Sequence, residues 1–261
     1  EILGGRLSRM NAGTTSLAPA ISMRSEWVQF ARFLKRPTLP ARAPLPKIMS
    51  LIAVLRLFVL DLIVMSVLLG IAGAVMSAGI DVPETALAGM EIGPAIIFAV
   101  IVIAPLVEET LFRGWLSGRP GHVLGILLAV PAGLLAAGIF TAVGGGTFAN
   151  PWAGMAGAVI VGLIVALAFV FLLRRRDAMR WFKRFFPLFF WLSTLGFASV
   201  HLFNFEPGQM AMALPLVLPQ FATGTMLSYL RVRYGLWSSI LLHMLHNGAF
   251  ISLVLLAGSA A

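Results

Sequence analysis

Seven stretches of this chain, at about 57–79, 94–117, 123–143, 152–173, 187–206, 211–230 and 236–257, are apolar over lengths that approach or exceed a bilayer crossing. A hydrocarbon core about 30 Å thick takes about 20 helical residues to span. None of the runs shows the short alternating pattern of a membrane β-barrel strand. With 59% apolar and 11% charged residues and a mean hydropathy of +0.96, the chain is far more apolar than a soluble domain. The sequence therefore predicts an all-α fold, a polytopic membrane bundle of about seven transmembrane helices.

The charges orient the bundle. Residues 1–56 carry nine of the nineteen Lys and Arg, Arg119 lies in the turn 118–122, six lie in 174–186, and Arg231 and Arg233 follow the sixth run. Loops 80–93, 144–151 and 207–210 and the tail after 257 contain none, while Asp81, Glu84 and Glu91 fall in the first of them. The positive-inside rule then puts the N-terminus in the cytoplasm and the C-terminus outside. A net charge of +9 could suggest nucleic acid, but the basic groups flank spans and do not form one soluble module. Anionic headgroups of the lipid bilayer are the expected partners, and nucleic acid is not.

Two regions follow: a basic segment, 1–47, and a transmembrane helical domain, 48–261. Residues 1–24 are rich in Gly, Ser, Thr and Ala and are expected to be mobile. They hold no apolar core of the length a secretory signal takes, and the absence of a starting Met is expected to reflect trimming or an unregistered upstream portion. Near 25–36, Trp27, Phe30, Ala31 and Leu34 recur at helical spacing opposite Gln29, Arg32, Lys35 and Arg36, which predicts an amphipathic helix lying on the cytoplasmic leaflet or a partner surface. The stretch Pro37–Pro46 reads as a stiff connector. There is no internal repeat and no cysteine, which excludes disulfides, thiolate metal sites and a cysteine nucleophile.

Polar residues inside the apolar runs form three clusters: Glu108-Glu109-Thr-Leu-Phe-Arg113, Phe197-Ala-Ser-Val-His201 and His243-Met-Leu-His-Asn247. An ionised group at the centre of a membrane helix costs about 2.5–3.5 kcal/mol on insertion scales, so such residues are functional candidates by default. Neighbouring side chains on a helix point about 100° apart, so Glu108 and Glu109 cannot both serve one reacting atom. Glu109 and Arg113 are four apart and stack on one face, which suits a carboxylate held by a guanidinium. Glu108 is left to face a cavity, where a carboxylate can exchange protons with water. His201 follows Phe197 by one turn, and His243 and Asn247 project together; His246 is expected to pack or give supporting hydrogen bonds, and His122 carries no signal. The plain alternatives are a buried ion pair locking two helices, a histidine bonded to a backbone carbonyl, and a satisfied interhelical polar pair.

In that order, Glu-Glu-x-x-x-Arg, Phe-x-x-x-His and His-x-x-x-Asn resemble the motifs of the CPBP family of intramembrane proteases, which includes CAAX prenyl endopeptidases and bacteriocin-processing and self-immunity proteins. The resemblance covers roughly residues 94–257. It implies an abortive-infection-type helical fold around a conical cavity, with Glu108 as the catalytic glutamate that activates water. It further implies that His201 and His243 complete the polar site, Asn247 helps stabilise the oxyanion, and Glu109 and Arg113 support the glutamate. Such a site would hydrolyse a peptide bond with no serine or cysteine nucleophile. Glu108, His201 and His243 are also a possible zinc set, which would act through a metal-bound water. The chain lacks a His-Glu-x-x-His motif, and the metal-independent glutamate route is favoured.

Three function classes stay open: an endopeptidase acting on a membrane-anchored protein or peptide, a non-catalytic subunit or assembly factor of a larger membrane complex, and a proton-coupled transporter. The last predicts discontinuous helices and usually a repeat. Depth adds a constraint. At 1.5 Å per residue from the cytoplasmic end, His243 lies about 10 Å in, Glu108 about 13 Å, and His201 about 21 Å if its span starts at Phe186 or Pro187. Either 181–189 lie along the interface and the span begins later, or that helix is strongly tilted. The aromatic and basic run Arg180-Trp-Phe-Lys-Arg-Phe-Phe favours the first.

Overall fold

A computed structural model describes residues 20–40, 43, 47–85, 92–143 and 151–258. Residues 1–19, half of the Pro-rich connector, Glu91 and the loop 144–150 lie outside the described residues. Among the described residues, seven helices are long and apolar enough to cross a membrane: Ile48–Ser77, Pro94–Ser117, Pro120–Ala142, Gly154–Leu172, Phe186–Asn204, Pro207–Tyr234 and Leu236–Leu256, hereafter spans 1 to 7. The protein is a multi-pass, all-helical membrane protein.

Two span limits differ from the expectation, each for a local reason. Span 1 starts at Ile48 and carries Arg56 inside it, because the Arg56 guanidinium turns back and donates to the carbonyls of Ala20 and Ile21 at 2.7 and 3.1 Å. Span 6 starts at Pro207, earlier than the uniform apolar run suggested. It is built in pieces, Pro207–Gln209, Met210–Ala213, Leu214–Val217 and Leu218–Tyr234, with Pro207, Pro215 and Pro219 at the openings. Proline lacks an N–H and suits the first turn of a helical segment, so each one tends to open a piece. Span 2 is also interrupted, with a wide π turn at Ala99–Ile103 between helices Pro94–Phe98 and Ala104–Arg113.

Spans 3 and 4 pack on each other at the side of the bundle. A Cβ at Gly133 would stand 2.7 Å from the Ala158 carbonyl oxygen, and one at Gly125 would stand 3.1 Å from that of Ala166. Small residues let two backbones approach where lipid provides no hydrophobic drive. The remaining core lies among spans 1, 5, 6 and 7, around Leu57, Phe197, Leu227, Leu230 and Leu242. A second cluster, Leu116, Phe182, Phe186, Phe190 and Val232, closes the end where the basic turns meet. There Arg119 donates to the carbonyls of Arg174 and Arg176, at 2.8 and 3.0 Å.

The N-terminal amphipathic helix forms as Met23–Lys35, capped by Ser22 and Ser25, and Phe30, Phe33, Trp27 and Leu34 pack against the bundle. Phe30 and Phe33 set their edges against Tyr229 with centroids 5.4 and 5.1 Å apart, and Trp27 donates to the Arg56 carbonyl at 2.8 Å. Fully buried Glu26 accepts from the hydroxyls of Tyr229 and Tyr234, each at 3.0 Å. Periodicity identifies an apolar stripe without identifying what covers it.

The depth offset of His201 has a geometric resolution. Residues Arg180–Arg184 form a short helix of their own, and span 5 still begins directly after it, at Phe186, so a later start does not remove the offset. Phe186 lies in one cluster with Leu116, whereas Phe197, eleven residues further along, sets its ring against Phe112 and the Arg113 guanidinium, only three or four residues before Leu116. Eleven residues of one helix matching three or four of another means that spans 5 and 2 are strongly inclined to each other.

Candidate active site

The two adjacent glutamates part company as helix geometry requires. Glu109 is fully buried and satisfied: Arg113 Nη1 donates to Oε1 at 2.5 Å, His243 Nδ1 meets the same oxygen at 2.9 Å, and the Ser239 hydroxyl donates to Oε2. Glu108 points elsewhere. Its side chain is 29% exposed, its Oε2 is buried without a hydrogen-bond partner, and that oxygen lies 3.9 Å from His243 Nε2. At that separation the two atoms are too far apart for a direct hydrogen bond but can share a bridging water.

Both histidines of the motifs are oriented by their Nδ1 atoms. In His201, Nδ1 is 2.8 Å from the Phe197 carbonyl, which can only accept, so Nδ1 carries the proton. His243 Nδ1 likewise faces an acceptor carboxylate. In each ring the Nε2 atom is left for other work. The four-residue spacing of Phe197 and His201 thus has two effects, since the Phe197 ring also lies 4.8 Å from the His201 ring and 5.6 Å from that of His243. The Arg113 guanidinium sits 3.9 Å from the Phe197 centroid, in cation–π contact. Gly224 opposite leaves them room, as a Cβ there would lie 3.2 Å from Phe197 and 3.3 Å from Arg113 and would make them shift by a few tenths of an ångström.

Asn247 is on the same helix face as His243, but its amide is already engaged. Nδ2 donates to the Val100 carbonyl of the span 2 π turn at 2.8 Å. Span 2 therefore contributes Glu108, Glu109 and Arg113, span 5 contributes Phe197 and His201, and span 7 contributes His243 and Asn247. The three motifs converge at the level of helices, with the Glu108–His243 gap as the open part.

Several participants escaped the sequence reading. Ser239 precedes His243 by four residues and shares its face, a legible spacing that a lone serine in an apolar run does not advertise. Asp61 of span 1 is fully buried and accepts from Thr223 of span 6 and from His246 Nδ1 of span 7, both at 2.7 Å. A single acidic residue in an apolar run was itself the signal. His246 does give the supporting hydrogen bond expected of it. Arg231 donates to the carbonyls of Arg113 and Gly114 at 2.8 and 3.0 Å, ending span 2 beside the site.

Among the described residues, no three His, Asp or Glu side chains gather closely enough to hold a metal ion, so Glu108, His201 and His243 do not form a ready three-ligand set.

Comparison with known proteins gives the family. No curated protein and no solved structure matches the chain. The family model of type II CAAX prenyl endopeptidase Rce1-like proteins matches residues 91–175 and 170–249, together more than half of the 261 residues and including every motif above. A buried Glu109–Arg113 pair, an unpartnered Glu108 oxygen and two Nδ1-anchored histidines on separate membrane helices are consistent with that match, and the chain belongs to the Rce1-like CAAX endopeptidase family.

Proposed function

We propose that the protein is an intramembrane endopeptidase in which Glu108 activates water against a peptide bond of a membrane-associated protein or peptide. One observation carries the reading: of two adjacent intramembrane glutamates, Glu109 is fully satisfied, whereas Glu108 keeps a buried oxygen with no protein partner beside an imidazole nitrogen. A purely structural pair leaves no reason for the second carboxylate, because burying an unmatched polar oxygen is unfavourable.

The chemistry follows from the side chains. Glu108 accepts a proton from water as that water attacks the carbonyl carbon. Protonated, His201 and His243 offer Nε2–H donors to the developing oxyanion, and Glu108 returns its proton to the leaving amine. Glu109 and Arg113 act through His243, fixing its ring. Prenylated C-terminal peptides are the first substrates to test, given the family. The test is incubation of purified protein with such peptides and with unmodified hydrophobic ones, wild type beside Glu108→Gln. Cleavage by wild type and a loss of about 10²–10⁴-fold in the variant support the base role; equal cleavage by both overturns it.

Spans 2 and 6 are interrupted, which a proton-coupled transporter would also use, but family membership favours hydrolysis. An intact site that cleaves no peptide would favour the other class, a non-catalytic subunit of a membrane complex.

A further inference from the structure

We propose that Asn247 is a positioning residue: it supplies the hydrogen bond that Pro105 removes from the backbone of span 2, and so holds the wide turn that aims Glu108. The proposal rests on the protease reading only for its activity arm.

The argument begins with a proline inside a membrane helix. Pro105 has no N–H, and its ring crowds the carbonyl four residues earlier, so the turn before it opens. Here the opening is the π turn Ala99–Ile103. The Ala104 N–H, which in an α-helix would bond Val100, instead donates to the Ala99 carbonyl. The next N–H, five residues after Val100 in the π pattern, would be that of Pro105, and it does not exist. The Val100 carbonyl is thus left without a backbone donor in a segment that spans lipid, where an unmatched carbonyl is costly. Asn247 Nδ2 fills the place from span 7 at 2.8 Å. Asn247 is one turn after His243, and Val100 is two turns before Glu108, so this one bond ties the register of span 7 to the segment that carries the glutamates.

This reading makes Asn247 and Pro105 a coupled pair, although they are far apart in sequence and do not bond to each other. Replacing Pro105 by Ala restores an N–H and lets the Val100 carbonyl find a backbone partner, after which Asn247 is dispensable for the turn. The experiment is a double-mutant cycle on the full-length protein in detergent, reading thermal unfolding and, separately, peptide cleavage. Asn247→Ala alone is expected to lower the unfolding midpoint by about 4 °C. In the Pro105→Ala background the same change should move it by about 1 °C or less. Cleavage lost in N247A should return at least in part in the double variant. If N247A does not accumulate folded, accumulation of the double variant is the same rescue, and failure of both overturns the proposal. Equal midpoint losses in both backgrounds also overturn it. A loss of cleavage of about 10²-fold that P105A leaves untouched, with the midpoints coupled or not, assigns Asn247 to the oxyanion and not to positioning. The midpoints are readable even if no peptide is ever cleaved, so failure of the protease reading and failure of this one are told apart.

Discussion

Removing Arg113 isolates the most heavily desolvated charge in the site. Arg113 and Glu109 are both fully buried and 2.5 Å apart, so Arg113→Ala strands a carboxylate with His243 and Ser239 as its remaining partners. Breaking one side of such a pair costs about 3–5 kcal/mol. Two effects adjust that range. The hydrogen bonds of His243 and Ser239 to Glu109 remain, which favours the lower end, while loss of the guanidinium from the Phe197 face adds about 0.5–2 kcal/mol. A net loss of about 3.5–5 kcal/mol is expected. In a Glu109→Gln background the stranded charge is gone, and the same substitution should cost only about 1–2 kcal/mol, mostly packing. Equilibrium unfolding in bicelles or mixed micelles on the four proteins of the cycle measures the coupling. If Arg113→Ala costs the same with and without the Glu109 charge, within about 0.5 kcal/mol, the site is not organised around this pair.

Three further outcomes are expected. Cysteines introduced near 147, which lies outside the described residues, and at 178 should be labelled from opposite sides of the membrane, with 178 on the cytoplasmic side as the distribution of Lys and Arg requires; labelling of both from one side refutes that orientation. Glu26→Ala removes the shared acceptor of Tyr229 and Tyr234 and should cost about 1–3 kcal/mol, with faster hydrogen exchange confined to residues 23–35 and the end of span 6; unchanged exchange in the N-terminal helix would show that it is not docked through Glu26. Asp61→Ala leaves Thr223 and His246 without their buried partner and should destabilise by about 2–4 kcal/mol, whereas Thr223→Val alone should cost about 1 kcal/mol; a neutral Asp61→Ala would mean that spans 1, 6 and 7 do not depend on this carboxylate.

How much could be read from the chain alone follows from what is local. Span number depends on runs of apolar residues, and a helix needs no partner to satisfy its backbone in lipid, so seven spans were legible one at a time. Pairs four residues apart, Glu109 with Arg113 and Phe197 with His201, were legible because the helix itself sets that neighbourhood. The division of labour between Glu108 and Glu109 followed from the same 100° step.

Tertiary structure decided whatever depends on a second helix. Only packing could show that the helix Met23–Lys35 sets Phe33 against Phe190 and Tyr229, since the apolar stripe by itself does not name what it touches. The strong inclination between spans 5 and 2 sets Phe197 against Phe112 and Arg113, one turn from His201 and from the glutamates, although residue counting from a membrane surface separates them. Asp61, Ser239 and Arg231 acquired meaning from partners more than a hundred residues away. The open Val100 carbonyl has the same origin: Pro105 creates the vacancy locally, but which side chain fills it is set by where span 7 crosses span 2, and no periodicity in the chain encodes that crossing.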